Sequence, residues 1–251
     1  MPISPEVRIV DSAADLFQAA AEEFSQIAAK AIRSRGRFTV ALSGGSTPRG
    51  LYSLLASGKF NVAWDKTLFF WSDERHVPPT DAESNFHMAN EILLSKIGVP
   101  PQNIFRVPAE EKNADAAARA YEDTLRAAFG LKSGEIPRFD LILLGIGTEG
   151  HTASLFPGSP ALEETARLVT ANWVEKLHTA RITFTYPLLN NAACVIFLVS
   201  GAEKADILEQ IFEGTGNLPA QKVCPVNGRL LWIEDHAAAA KLPDSDWSAA
   251  P

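Results

Sequence analysis

Two glycine-rich segments hold the side chains best suited to chemistry. In Ser43-Gly44-Gly45-Ser46-Thr47-Pro48 the glycines lack Cβ, so backbone N–H groups can approach an anion, and Ser46 and Thr47 add hydroxyl donors. A small phosphate suits such a loop; a tight turn ending in a helix cap is the plainer alternative. The segment lacks the Gly-Lys-Ser/Thr ending of a nucleotide P-loop, which disfavours ATP or GTP. The second segment, Gly145-Ile146-Gly147-Thr148-Glu149-Gly150-His151, has the form of the dinucleotide fingerprint Gly-x-Gly-x-x-Gly. Yet Pro157 and Gly158 follow too closely for a long helix, and no clear acid ends a following strand to grip a ribose. A loop that presents His151 as a proton acceptor near neutral pH is the better account, against the alternative of a hydrogen-bonded loop histidine.

Three further groups are weaker by themselves. Asp73-Glu74-Arg75 places both signs of charge after a very apolar run, where a substrate-facing cluster and solvated side chains are equally natural. Arg181 and Lys204 are single cations, for which solvated surface charge is the default. No metal site emerges, because His76, His87, His151, His178 and His236 show no His-Glu-x-x-His or comparable spacing. A Gly-x-Ser-x-Gly elbow is also absent, so a serine nucleophile is not indicated.

The elements that must position these residues follow an alternating pattern of strands and helices, the sequence form of a parallel sheet covered by helices. Ser12-Ala13-Ala14-Asp15 resembles a capping box, and Leu16, Ala19, Ala20, Phe24, Ile27, Ala28 and Ile32 continue at helical spacing to Gly36. Strands are expected at Phe38 to Leu42, Thr67 to Trp71, Phe139 to Leu144, Arg181 to Tyr186, Ala193 to Val199 and Arg229 to Ile233. Helices are expected after Pro48, over Ser84 to Ile97, Asn113 to Phe129 and Ala202 to Phe212. The glycine loop, the 73–75 cluster and His151 all fall at carboxyl ends of strands, where open sheets bind ligands. Neither a linker nor an internal repeat divides the chain, so residues 1–251 read as one α/β domain.

Composition narrows the partners. A formal net charge of -7 disfavours nucleic acid, so any bound phosphate should be small and locally held. Cys194 and Cys224 are too few and too far apart for a zinc ribbon or a redox pair, and Cys194 lies in an apolar run that suits a buried thiol. Met1 to Glu6 lack the features of a signal peptide, and no apolar run approaches the ~20 residues that span a bilayer. No membrane association and a cytoplasmic location are expected.

Taken in order, Leu42 to Pro48, Asp73-Glu74-Arg75-His76-Val77-Pro78, Asp81 to Asn85 and Gly147 to Gly158 resemble the glucosamine-6-phosphate isomerase/6-phosphogluconolactonase family, and within it the lactonases. Arg181-Ile182-Thr183, Asn190-Asn191-Ala192, Gly201-Ala202-Glu203-Lys204 and Leu231 to Asp235 extend the resemblance over nearly the whole chain. It implies a modified Rossmann-like, doubly wound, mostly parallel sheet, as in glucosamine-6-phosphate deaminase. It also implies hydrolysis of 6-phospho-D-glucono-1,5-lactone to 6-phospho-D-gluconate, the second step of the oxidative pentose phosphate pathway. The partner is then a small phosphosugar lactone, with no cofactor and no metal, acted on by a monomer or homodimer.

By that resemblance Ser43, Gly44, Gly45, Ser46 and Thr47 form the phosphate loop, Arg181 and Lys204 complete the phosphate site, and His151 is the catalytic base. Asp73 and Arg75 line the lactone end, while Glu149 and Asn85 stand behind them in support. Glu149 departs from the family, which usually carries Asp two residues before the histidine. The chemistry agrees: a δ-lactone is an activated ester whose hydrolysis needs an activated water, a donor for the oxyanion and fixed geometry. Arg75 is the candidate for the oxyanion, and Asp73 for orienting water or a ring hydroxyl. A deaminase or sugar-phosphate isomerase is the nearest rival; that family resembles Asp-Glu-Tyr where Asp73-Glu74-Arg75 stands. A non-catalytic sugar-phosphate sensor is the other.

Overall fold

β-Branched and aromatic runs too apolar to face water on either side become the inner strands of a sheet covered on both faces. Phe38–Leu42 and Leu141–Leu144 are buried along their whole length. The computed structural model describes residues 5–243, so Met1 to Ser4, on which the expectation of no leader largely rested, lie outside it. The elements in chain order are β1 (Glu6–Val10), α1 (Ala13–Arg35), β2 (Phe38–Leu42), α2 (Ser46–Ala56), β3 (Thr67–Trp71), β4 (Asp73–Arg75), α3 (Asn85–Ile92) and α4 (Ala114–Phe129). There follow β5 (Leu141–Leu144), β6 (Val169–Val174), β7 (Thr179–Phe184), α5 (Tyr186–Leu189), β8 (Cys194–Val199), α6 (Ala205–Phe212) and β9 (Arg229–Asp235).

Six strands form one parallel sheet in the order β1-β9-β8-β5-β2-β3. From β2 the chain moves outward to β3, then returns to the other flank of β2 for β5 and continues outward through β8 and β9. The order therefore reverses between β2 and β5. Connections diverge at such a point and leave a crevice beyond the carboxyl ends of the strands. The glycine loop leaves β2 there and the His151 loop leaves β5.

A second sheet, antiparallel in the order β4-β7-β6, stands against the first. It differs from the sequence expectation, in which Asp73 to Arg75 was a polar strand end and Arg181 to Tyr186 one more strand of a single sheet. Ser72 makes the turn: its N–H donates to Leu42 O in the main sheet (2.9 Å), and its carbonyl accepts from Phe184 N in the small one (2.8 Å). The strand expected at Arg181 to Tyr186 runs instead from Thr179 to Phe184, and Pro187 lies in the helical turn after it. The helix expected to reach Ile97 ends at Ile92 and gives way to a 3-10 turn, and the one expected from Ala202 opens as a 3-10 turn before Ala205.

Caps fix the helices that frame the crevice. Ser12 accepts from Asp15 N to start α1, and Gly36 ends it at φ 76°, a left-handed conformation that suits glycine. Tyr121 of α4 accepts from Trp71 N (2.8 Å), donates to Trp71 O (3.1 Å) and stacks on Phe184, so one buried ring ties α4 to both sheets. Among the described residues no helix is long and apolar enough to cross a membrane.

Candidate active site

The phosphate-loop candidates are built by β2 and α2. Tyr52, nearly two turns into α2, accepts from Ser43 N (3.0 Å) and donates to Ser43 O (2.8 Å), which fixes the start of the loop. Gly45 then takes φ 103° as the cap of α2, leaving the first N–H groups of an 11-residue helix, with Ser46 and Thr47, at the crevice. Pro48 falls in that first turn, where a missing N–H costs nothing. Gly44 is needed for closeness: a Cβ there would fall 1.9 Å from Asn85 Oδ1. Among the described residues, the buried hydroxyl of Ser43 has no hydrogen-bond partner.

Alternation along β4 separates the charges of the 73–75 cluster. Asp73 and Arg75 line the crevice. Glu74 turns the other way, 1% exposed, and accepts from Asn85 N, Phe86 N, Arg75 N and Ser84 Oγ, so it anchors the start of α3. Burial raises its pKa against the pull of those N–H groups. Asp73 is held by Ser154 Oγ on Oδ2 (2.6 Å) and by Asn85 Nδ2 on Oδ1 (3.4 Å). Ser154 is itself clamped, its N–H donating to Thr183 Oγ1 and its carbonyl accepting from Asn172 Nδ2.

The loop after β5 turns rather than entering a helix, so the dinucleotide form of 145–150 has no helix N-terminus to offer. Gly150 N donates to Gly147 O and Gly147 N to His151 O, both at 2.9 Å. This folds the His151 ring over its own loop, where a Cβ on Gly147 would lie 2.1 Å from the imidazole. Phe156 stacks on the ring at 4.2 Å and 24°. Nδ1 is buried without an aligned hydrogen bond, although Glu149 Oε2 lies 3.1 Å away, and the exposed quarter of the side chain faces the crevice. Burial pushes the His151 pKa down to about 4; Asp73 opposes this, and Lys204, Arg181 and Arg75 add to it. The imidazole is therefore neutral at pH 7.

Two cations complete the lining. Arg181 sits opposite Arg75 in the β4–β7 register, is 8% exposed, and donates to Thr179 Oγ1 and the Ala180 carbonyl. Among the described residues it has no carboxylate within ion-pair distance, and burial followed by the charge of Arg75 lowers its pKa. Lys204 opens α6 at the carboxyl end of β8, where Asp235 holds the preceding turn through Ser200 Oγ and Gly201 N.

Every candidate named from the sequence lines one cavity of about 460 Å³: Ser43, Gly44, Gly45, Ser46, Thr47, Asp73, Arg75, Asn85, Glu149, His151, Arg181 and Lys204. Ser154, Phe156, Lys176, Leu177 and Glu203 line it too, without having been singled out as site residues. Ser154 and Phe156 lay within the His151 motif and were legible there; Lys176 and Leu177 come from a hairpin that had no clear pattern.

Comparison with known proteins shows the family and the fold. Residues 11–232 match the family described as glucosamine-6-phosphate isomerases/6-phosphogluconolactonase. The chain is 44% identical over 215 residues to a 6-phosphogluconolactonase of Nostoc sp., covering 84% of this chain and 88% of the relative. It superposes on the structure of 6-phosphogluconolactonase from Trypanosoma cruzi with a TM-score of 0.85 at 31% identity, over 96% of this chain and 98% of the other. A monomeric glucosamine-6-phosphate deaminase, 22% identical with a TM-score of 0.76 over 94% and 99% of the two chains, shares the fold. The chain belongs to the glucosamine-6-phosphate isomerase/6-phosphogluconolactonase family.

Proposed function

We propose that this chain hydrolyses 6-phospho-D-glucono-1,5-lactone to 6-phospho-D-gluconate, with His151 as the base that activates water. The observation that carries the reading is a neutral histidine sharing one cavity with a glycine loop opening a helix and with a buried arginine that, among the described residues, has no carboxylate within ion-pair distance. Names borne by the relatives point the same way. Arg181, Lys204 and the N–H groups of Gly45 to Thr47 hold the phosphate, remote from the reacting ester, so its binding energy positions the ring.

His151 takes a proton from water as the water oxygen adds to the lactone carbonyl carbon. Arg75 spends one guanidinium nitrogen on Glu83 O and keeps others for the developing oxyanion. Asp73, fixed by Ser154 and Asn85, orients the water or a ring hydroxyl. The intermediate then breaks its bond to the ring oxygen, which receives the proton back from the imidazolium, and the resulting acid ionises to the gluconate. Bound phosphate offsets the charges of Lys204 and Arg181, which add to burial in lowering the His151 pKa, so the base strengthens once substrate is in place. Cys194 and Cys224, both free thiols, support a cytoplasmic location.

The test is acid release from the phosphorylated lactone with spontaneous hydrolysis subtracted, beside ammonia release from glucosamine 6-phosphate. Acceleration of the first without the second is expected. Ammonia release, or a lactone rate equal to the blank, overturns the reading.

A further inference from the structure

Lys176 reaches into the site from the β6–β7 hairpin, whose tip is the 3-10 turn Glu175–Leu177 closed by His178 at φ 46°. Its ammonium pairs with Glu149, whose other carboxylate oxygen lies 3.1 Å from His151 Nδ1. It also stands 5.4 Å from the centre of the Phe156 ring, which stacks on His151. The nearer acid of the hairpin, Glu175, is engaged instead by Trp173 Nε1 at 2.7 Å. Lys176 thus meets the imidazole by two routes, through a carboxylate and through an aromatic face.

Resting on the lactonase reading, we infer that Lys176 is a positioning residue for His151, holding Glu149 against the Nδ1 edge of the imidazole. The argument is one of charge balance. A lone carboxylate beside Nδ1 orients the ring but also stabilises the imidazolium, which traps the proton that must return to the ring oxygen. Paired with Lys176, Glu149 keeps its place while its pull on the proton is offset. The Glu149 side chain has several rotatable bonds, and a counter-ion from a separate segment restrains it. The other charges facing His151 are Asp73 and Arg75 from β4, Arg181 from β7 and Lys204 from the turn before α6, and none of them pairs with Glu149.

Lys176→Met and Lys176→Arg, each made in the parent and in Glu149→Gln, test this by steady-state kinetics and by NMR titration of His151. In the parent background Lys176→Met is expected to lower kcat about tenfold with little change in KM. It should also move the His151 titration to higher pH, because a cation is lost and the charge of Glu149 is no longer offset. Lys176→Arg should restore most of both. In Glu149→Gln the same methionine change should alter kcat by no more than about twofold, since the carboxylate it acts through is gone. An unmoved titration, an equal loss of kcat in both backgrounds, or a change confined to KM overturns the inference. The titration needs no turnover, so a chain that fails to open the lactone while His151 still responds to Lys176→Met overturns the lactonase reading alone.

Discussion

Ser154 Oγ donates a 2.6 Å hydrogen bond to Asp73 Oδ2, joining the loop that carries His151 to the small sheet that carries Arg75 and Arg181. It is a buried bond between two elements that no backbone ladder connects directly. Ser154→Ala leaves a buried carboxylate oxygen short of its donor, and should cost about 1.5–3 kcal/mol of stability in urea unfolding. It should also lower kcat, because Asp73 is then free to turn; parental stability together with parental kcat would show that the bond positions nothing.

Gly147→Ala tests whether the fold of the loop sets the base. The added methyl carbon collides with the imidazole, at 2.1 Å from it, while β5 and its neighbours remain buried and untouched. Thermal unfolding is expected to stay cooperative, and kcat to fall roughly 10²-fold, the cost of misplacing a reacting group by about 1 Å. Unaltered turnover would mean that the ring position matters little.

Arg181→Ala removes a buried cation that has no carboxylate within ion-pair distance among the described residues, so the folded protein should lose little stability. Substrate binding should weaken, since a charge-assisted hydrogen bond to phosphate is worth about 1.5–3 kcal/mol, or roughly 10- to 150-fold in affinity. Lys204→Ala should act in the same direction. The control is gluconolactone without its phosphate, which both variants should handle as the parent does; equal effects on the two lactones would place the phosphate elsewhere.

The pH dependence follows from the sign of the His151 shift. Burial and the cations lower the pKa from about 6.5 to about 4, so the neutral form that the proposed base requires should persist as pH falls and be lost only near pH 4 in the free protein. If phosphate binds beside Lys204 and Arg181 as proposed, it should remove part of that pressure and raise the pKa toward its ordinary value. NMR titration of His151 with and without 6-phosphogluconate checks both statements. A free-protein value near 6.5, or a downward shift with ligand, contradicts the electrostatics described here.

The strands that hold the site in the main sheet were legible because Phe38–Leu42 and Leu141–Leu144 are runs no other environment suits, each followed at once by glycine-rich polar residues. Of the small sheet only β7 was legible, as the strand expected at Arg181 to Tyr186, and neither of its partners was. Asp73–Arg75 is a three-residue strand made of charged side chains, and Val169–Val174 mixes Thr, Asn and Trp in a pattern with no clean alternation. Its pairing is long-range, and only the fold brings β7 against β4. The opposite orientations of Glu74 and its neighbours follow from that unseen strand, as does the approach of Lys176 to Glu149.

The assignment of His151 as the base with Glu149 as its support stands or falls on steady-state kinetics of His151→Ala beside Glu149→Gln, with spontaneous lactone hydrolysis subtracted. His151→Ala is expected to lower kcat by roughly 10²- to 10⁴-fold with substrate binding largely kept, and Glu149→Gln by about tenfold or less. Near-parental turnover by His151→Ala, or greater damage in Glu149→Gln than in His151→Ala, would contradict it.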